Sequence, residues 1–519
     1  MKRSANRRRS PAAEQRKKQR REQLVKFLRM NTWLVLLAVL VLIALILLIL
    51  VLAGGRKAPV QEQEPAASKP YVRAWLCADT PEIAYYDADL KQSGTVARGR
   101  QVTYSTTDSF ERGGVTYYLT YLDVPQYGYI SEENLTEQER AVVQERKIYA
   151  RTPQNLRKAE DSIELGTLVE QGTELTVLGY DYLTNGIVHL YHVSSNGKTG
   201  YISGSYTAAT YEDSMEVYDR FGVYMTHASR EDRYGGGDAG SLYYYPTEKA
   251  SFADNVMPEH VYALYLTCDP KIISEIDEYI AYAKTTKINA FVVNIIDGTS
   301  VGYPSPVYQE YSPTAYQYAS NTIEEYRACI QKIKDAGFYA IGRLTAFNDS
   351  FFVSDHPEYA IADNNGDPLY LRATGSYWPS AFCRYVWEYK VALAKDAVET
   401  MGFQEIQFDY VRFPDGTYDY EKAGTIDYRN ENNETKAQAI QRFLMYATDE
   451  LHDLGVYVGA DVFGESVETY VTAYGQYWAA ISNVVDVISG MPYPDHFSQD
   501  GTYRPWEHPY ETLLDWAES

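Results

Sequence analysis

Along Glu405–Pro414, EIQFDYVRFP, apolar and polar residues alternate: Ile406, Phe408 and Tyr410 fall on one face of a strand, and Glu405, Gln407 and Asp409 on the other. A packed core has no use for the second face. A barrel strand whose inward side chains line a polar pocket does, and Asp409 lies near the C-terminal end, where barrel enzymes keep their chemistry. Five further segments read as strands: VYALYLT from Val261, AFVVNIID from Ala290, YAIGRLTAF from Tyr339, VYVGADVF from Val456 and DVISGMPY from Asp486. The amphipathic stretches IISEIDEYIAYAKTT, TIEEYRACIQKIKDAG and RYVWEYKVALAKDAVETMG lie between them and predict helices, the last two closing on glycine. Strands alternating with helices from His260 onward predict parallel β/α units.

The pattern upstream is different. VARGRQVTY from Val96 and GYISEENLT from Gly128 return as VEQGTELTV from Val169 and GYISGSYTA from Gly200, at offsets of 73 and 72 residues, so a domain is duplicated. Each copy consists of short runs rich in Val, Thr and Tyr, broken by turns such as Arg112-Gly113-Gly114 and Thr184-Asn185-Gly186, which predicts a small all-β barrel. The closing glycine-tyrosine-isoleucine run resembles that of bacterial SH3-like domains, assigned here to residues 71–136 and 146–210. The resemblance implies either a cell-wall ligand, peptide or glycan, or a spacer. Residues 211–258, with Gly235-Gly236-Gly237 and Tyr243-Tyr244-Tyr245-Pro246, predict a linker that docks partly on the β/α half of the chain.

At the N-terminus, twelve Lys or Arg against two Glu in residues 1–30 lead into an apolar run from Trp33 to Ala53. About 20 apolar residues suffice to span a bilayer, and no small-residue cleavage site follows. The pattern predicts a signal anchor over 32–53, a cytoplasmic tail over 1–31, a Pro- and Glu-rich linker over 54–70, and all later domains outside a bacterial cell membrane. Lipid bilayer is then one partner of the chain, through that single helix.

Charge divides at the same place. Beyond Lys57 the chain holds 34 Lys and Arg against 68 Asp and Glu, a surface that repels phosphate backbones and argues against nucleic acid as a partner. Cys77, Cys268, Cys329 and Cys383 are widely spaced and form no CxxC or metal pattern; one disulfide is possible, a disulfide scaffold is not. No obligate protein partner is evident, and no cofactor is expected.

INAFVVNIID, FYAIGRLTAFND, VWEYKVALAKDAVETMGFQEIQFDYVRFPDG, GADVFG, and ISGMPYPDHF followed by HPYE occur in that order. This half of the chain, residues 259–519, resembles a glycoside hydrolase domain family found in many bacterial exported proteins and related to glycosidase (β/α)8 barrels. The resemblance implies a TIM-type barrel and a carbohydrate substrate. The family pattern continues with two further strands, whereas six strand candidates are present here, so the barrel is expected to be C-terminally truncated.

Glycoside cleavage needs two carboxyl groups, one to protonate the leaving oxygen and one to act as nucleophile or to activate water. Asp409 is one candidate. On the next strand Asp461 shares an inward face with Tyr457 and Gly459. By resemblance to barrel glycosidases that use these two strands, Asp409 looks like the nucleophile and Asp461 the acid/base, with Glu465 in the following loop a rival acid. Asp297, Arg343, Asp349, Tyr493 and His496 stand at strand ends from which they could bind substrate, and Arg412 could hold Asp409 ionised. For Asp297, Arg343, Asp349 and Arg412 a structural role in loop anchoring is as good a reading, and a lone histidine such as His496 is more often a surface or capping residue. Trp378 and Tyr410 could stack on sugar rings. No His pair has metal spacing.

The reading is therefore an anchored glycoside hydrolase acting on cell-wall or extracellular polysaccharide or peptidoglycan. Two alternatives stay open: a non-catalytic glycan-binding envelope protein, and a barrel that cleaves another bond or binds a metal through Asp297, Asp409 and Asp461.

Overall fold

A computed structural model describes residues 71–78, 82–97, 99–123, 126–138, 147–180, 183–184, 187–216 and 231–518. The first module holds β1 (Tyr71–Leu76), β2 (Glu82–Tyr86), β3 (Gln92–Ala97), β4 (Gln101–Arg112), β5 (Val115–Asp123), β6 (Gln126–Ser131) and β7 (Leu135–Thr136), ordered β3-β2-β6-β5-β4-β1-β7. The second holds β8 (Lys147–Ala150), β9 (Gln154–Arg157), β10 (Leu165–Val169), β11 (Glu174–Tyr180), β14 (Leu190–Ser195), β15 (Lys198–Ser203) and β16 (Thr207–Ala208), with a short hairpin of β12 (Leu183–Thr184) and β13 (Ile187–Val188) beside them. Its order, β10-β9-β15-β14-β11-β8-β16, is the order of the first, strand for strand. The repeated sequence thus carries a repeated topology. Each module is one seven-stranded antiparallel sheet around a small apolar cluster, where SH3-type barrels were expected.

The second module is bound to the helices of the C-terminal half by buried polar contacts. Arg157 pairs with Glu450 at 3.0 Å, the Leu165 N–H donates to Glu388 at 2.7 Å, and Arg384 donates to Asn155 at 2.6 Å. Glu450 lies on the Lys436–His452 helix, and Arg384 and Glu388 on the Arg384–Asp396 helix. Removing one partner of a buried ion pair such as Arg157–Glu450 costs about 3–5 kcal/mol.

Residues 239–257 then run back over the C-terminal half. The Gln441 side chain accepts from the Tyr243 N–H at 2.8 Å and donates to the Tyr243 carbonyl at 2.7 Å, and Asn255 donates to the Gln404 and Gly455 carbonyls.

That half is a parallel sheet, β17 (Ala263–Leu266), β18 (Ala290–Asp297), β20 (Tyr339–Thr345), β21 (Glu405–Asp409), β22 (Tyr457–Phe463) and β23 (Val487–Met491), joined in sequence order, with the two-residue β19 (Ser300–Val301) folded back on β18. Its outer face, including Phe291, Val293, Ile406, Phe408, Val458 and Ala460, is buried against the connecting helices, each large side chain contributing about 1.5–3 kcal/mol. The Ile323–Asp335 and Lys436–His452 helices each begin with a complete capping box, at Thr322/Glu325 and Thr435/Gln438.

The (β/α)8-type barrel, expected to stop after six strands, is an open half-barrel of six parallel strands, in which β17 and β23 each pair on one side only. The expected single-pass membrane anchor is corrected to this extent, that the described structure does not support it. Among the described residues no helix is long and apolar enough to cross a membrane; Lys436–His452, at 17 residues the longest described, is amphipathic and short of the roughly 20 residues a span needs. The stretch 32–53 itself lies outside the described residues. All four cysteines are free.

Candidate active site

The inner face is built in rows. Parallel register sets Val292, Ile341, Glu405 and Tyr457 in a lower row, Asn294, Arg343, Gln407 and Gly459 in a middle row, and Thr345 and Asp409, then Asp461 and Ser489, in an upper row at the C-terminal ends. The lower row is closed from below by Phe252 and Met257 of the returning segment. Polarity rises from bottom to top, so the site lies at the C-terminal rim.

Asp409 ends β21 and is 8% exposed. Arg343 reaches it from the row below, with Nε at 3.1 Å from Oδ2 and Nη2 on the same oxygen. The same guanidinium donates to Asn294 Oδ1 at 2.9 Å and lies 3.2 Å from Asp297. Burial works against the charge of Arg343, but Asp409 and Asp297 outweigh it and push its pKa up. Asp297 and Asn294 are three residues apart and would face opposite ways in a regular strand. A β-bulge between Asn294 and Ile296 inserts one residue and turns both toward Arg343.

The next residue, Tyr410, has φ 49°, a left-handed conformation uncommon for a bulky side chain. This turn lets the Tyr410 N–H donate to Asp409 Oδ1 at 2.6 Å. The turn is held by the Phe347 N–H on the Tyr410 carbonyl, at 3.2 Å, and by packing of the ring against Trp378, 5.8 Å away. Such local strain persists where the surroundings over-determine it, and it concentrates at functional sites.

Asp461 is 7% exposed, and its Oδ1 accepts from Gln407 Nε2 at 2.7 Å. Burial first, and the negative charge of Asp409 second, push its carboxyl well above the ordinary carboxylate range, against the opposing pull of Arg343 and Gln407. The two carboxyls on adjacent strands are therefore unlike: one is paired with a guanidinium, the other is pushed toward its neutral form by burial and by the neighbouring charge.

The remaining candidates divide. Tyr493, half-exposed, stands over the pair; burial and then the charges of Asp409 and Asp461 raise its phenol, and its ring is 5.1 Å from that of His496 at the rim. Glu465 sits in the short helical turn after β22 and accepts from Tyr470 at 3.0 Å and from Tyr474. It lines a cleft of about 930 Å³ together with Asp415, Tyr470, Tyr474, His496 and Trp516, among others, which opens beside the Asp409 and Asp461 pair rather than over it.

Asp349 is elsewhere: fully buried, it caps the Ser350–Asp355 helix and pairs with the equally buried Lys390 at 2.6 Å. Arg412 does not reach Asp409. It pairs with Asp415 at 3.1 Å inside a cage of Trp378, Tyr410, Phe463 and Tyr474 rings. Arg343, not Arg412, is the cation that pairs with Asp409. Asn294 is a polar residue within an otherwise apolar run, and Gln407 shares the polar face of its strand with Asp409; those signals alone could have marked them. No group of three or more His, Cys, Asp or Glu suited to a metal occurs among the described residues, and the guanidinium of Arg343 occupies the place between Asp297 and Asp409.

Residues 263–518 match the family model described as "Putative glycosyl hydrolase domain". No curated protein matches the chain. Among solved structures, a hypothetical protein from Ruminiclostridium thermocellum ATCC 27405 is 32% identical over 38% of this chain and 97% of its own, with a TM-score of 0.32. A maltogenic alpha-amylase from Thermotoga neapolitana is 10% identical over 44% of this chain and 49% of its own, with a TM-score of 0.31. A Flavobacterium johnsoniae chitobiase is 13% identical over 45% of this chain and 38% of its own, with a TM-score of 0.32. On the strength of that match, residues 263–518 are similar to the family described as a "Putative glycosyl hydrolase domain".

Proposed function

We propose that this domain hydrolyses glycosidic bonds in a polysaccharide, with Asp461 and Asp409 as the working pair. The observation that carries the reading is that two carboxyls at neighbouring strand ends have opposite surroundings, the arrangement that separates an acid from a base or nucleophile. Asp461 donates its proton to the glycosidic oxygen as the bond to the anomeric carbon breaks. Asp409 either attacks that carbon or takes a proton from the attacking water. Arg343 and the Tyr410 N–H hold Asp409 in place, Tyr493 and His496 face the sugar at the rim, and Asp297 offers its outer oxygen to a hydroxyl. The neighbouring cleft, with Glu465 held by two tyrosines, accommodates the continuing glycan.

The test is release of soluble sugar by the full chain from a panel of wall and capsular polysaccharides. Asp409→Asn is expected to lower turnover by about 10²–10⁴-fold, and Asp461→Asn similarly, except on aryl glycosides whose leaving group needs no proton. If the protein is folded and binds a polysaccharide yet releases nothing, the glycan-binding alternative replaces this one.

A further inference from the structure

Asp409 and Asp461 are each met from the row below by a side chain that donates hydrogen bonds, and the two donors are register neighbours: Arg343 pairs with Gln407 across β20 and β21. Arg343 is a cation and takes Asp409. Gln407 is neutral; its Nε2 lies 2.7 Å from Asp461 Oδ1 and 3.5 Å from Ser489 Oγ, so that it bridges from β21 across β22 to β23. Its path crosses Gly459, its own register partner. A Cβ there would make ordinary contact with Gln407 Cγ at 3.7 Å but crowd Glu405 Oε1 at 3.0 Å, so the bare glycine leaves room for Glu405 beneath the Gln407 side chain.

We propose that Gln407 is the positioning residue for the acid: by donating its amide N–H to Oδ1 of Asp461, it confines the proton that this carboxyl delivers to Oδ2. The inference rests on the glycosidase reading for its purpose, but not for its geometry. An oxygen that accepts an N–H cannot direct its own proton along the same line, so the neutral carboxyl has one oxygen left to carry it. A cation in the place of Gln407 would stabilise the carboxylate and strip Asp461 of its proton; an apolar residue would leave both oxygens equivalent. An uncharged donor fixes orientation at the smallest cost to protonation. The one charge by which the two donors differ thus decides which carboxyl is acid and which is base.

The test is a titration of the Asp461 side-chain carboxyl by carbon NMR on the full chain labelled at aspartate, comparing the unaltered protein with Gln407→Met. A hydrogen bond to the charged form of a carboxyl holds its pKa down, so losing the donor is expected to raise the Asp461 titration by about one to two pH units, with Asp409 unmoved. Gln407→Asn keeps the amide but withdraws it by one methylene, and it should move the titration the same way; it serves if Gln407→Met fails to fold.

No movement, or movement to lower pH, overturns the proposal, because the second result means that the amide accepts from Asp461 instead of donating to it. Turnover read on the same samples separates the two readings. A shifted titration in a protein that cleaves no glycan supports Gln407 and removes the glycosidase. An unshifted titration in an active one does the reverse.

Discussion

The two ends of the inner face place carboxyls on the same strand under opposite conditions. At the lower end Glu405 is 2% exposed, hydrogen-bonded to Tyr339 and sealed by Phe252 and Met257. At the upper end, four residues on, Asp409 meets a guanidinium, a strained backbone N–H and an open rim. Both acids fall on the polar side of one alternating segment, and periodicity treats them alike. Their neighbours make one a matter of stability and, in the proposed reaction, the other a matter of chemistry.

The largest effect that would break this contrast lies at the top. Arg343→Met leaves Asp409 buried with no cation, so turnover should fall by about 10²–10⁴-fold, while in the Asp409→Asn background the same change should cost almost nothing further, because the two act as a unit. Additive losses in a double-mutant cycle of kcat would mean that Arg343 acts on substrate directly. The pH profile belongs to the same end. With Asp461 as the proposed acid and its pKa raised, kcat/KM should decline as pH rises through that value, and the descending limb should vanish in Asp461→Asn.

At the bottom the same sign of shift has a different consequence. Burial, with the charge of Asp486 adding and the Tyr339 hydrogen bond opposing, pushes Glu405 up to about 7. The folded protein keeps this proton where the unfolded chain has released it near pH 4. The contribution to stability is therefore whole below that pH and is lost as pH rises through 7, by about 3 kcal/mol at pH 8. Glu405→Gln should remove that slope, leaving the variant up to about 3 kcal/mol more stable than the unaltered protein at pH 8, with turnover unchanged. Urea unfolding at pH 4, 6 and 8 would show it. A variant that loses turnover instead would place Glu405 in the site.

Alternation in β21 and β22 was enough to bring Asp409 and Asp461 together, because in a parallel sheet neighbouring strand ends share a rim. Other features depend on events that alternation does not contain. Asp297 reaches Arg343 through a bulge, which shifts the face of every later residue. Arg412, three residues from Asp409, is turned into an aromatic cage by the left-handed residue between them. Asp349 stands where a ligand-binding carboxyl would, but Lys390 on a helix some forty residues away buries it. The repeat foretold two like modules. It did not foretell that the second would be welded to the barrel helices: Arg157, which pairs Tyr201 in β15, has as its counterpart Tyr86, which pairs Tyr129 in β6, and in the first module these positions belong to a cluster of rings with Phe110 and Tyr117.

The smallest expected effect tests the hinge between the two ends. If the left-handed turn at Tyr410 matters for the N–H it aims at Asp409, glycine should serve as well there, since it adopts positive φ without penalty. Tyr410→Gly would relieve about 1 kcal/mol of backbone strain and forfeit a similar amount of ring packing against Trp378 and Arg412, so its melting temperature should barely move. Its kcat should stay within a few-fold, and any rise in KM would measure what the ring contributes to sugar binding. Tyr410→Pro has no N–H and fixes φ near −65°, so it should lose both the hydrogen bond and the turn, and its kcat should approach that of Asp409→Asn. Equal kcat in the glycine and proline variants would show that Arg343 alone holds the carboxylate and that the strained turn serves only to carry the chain into the Arg412 cage.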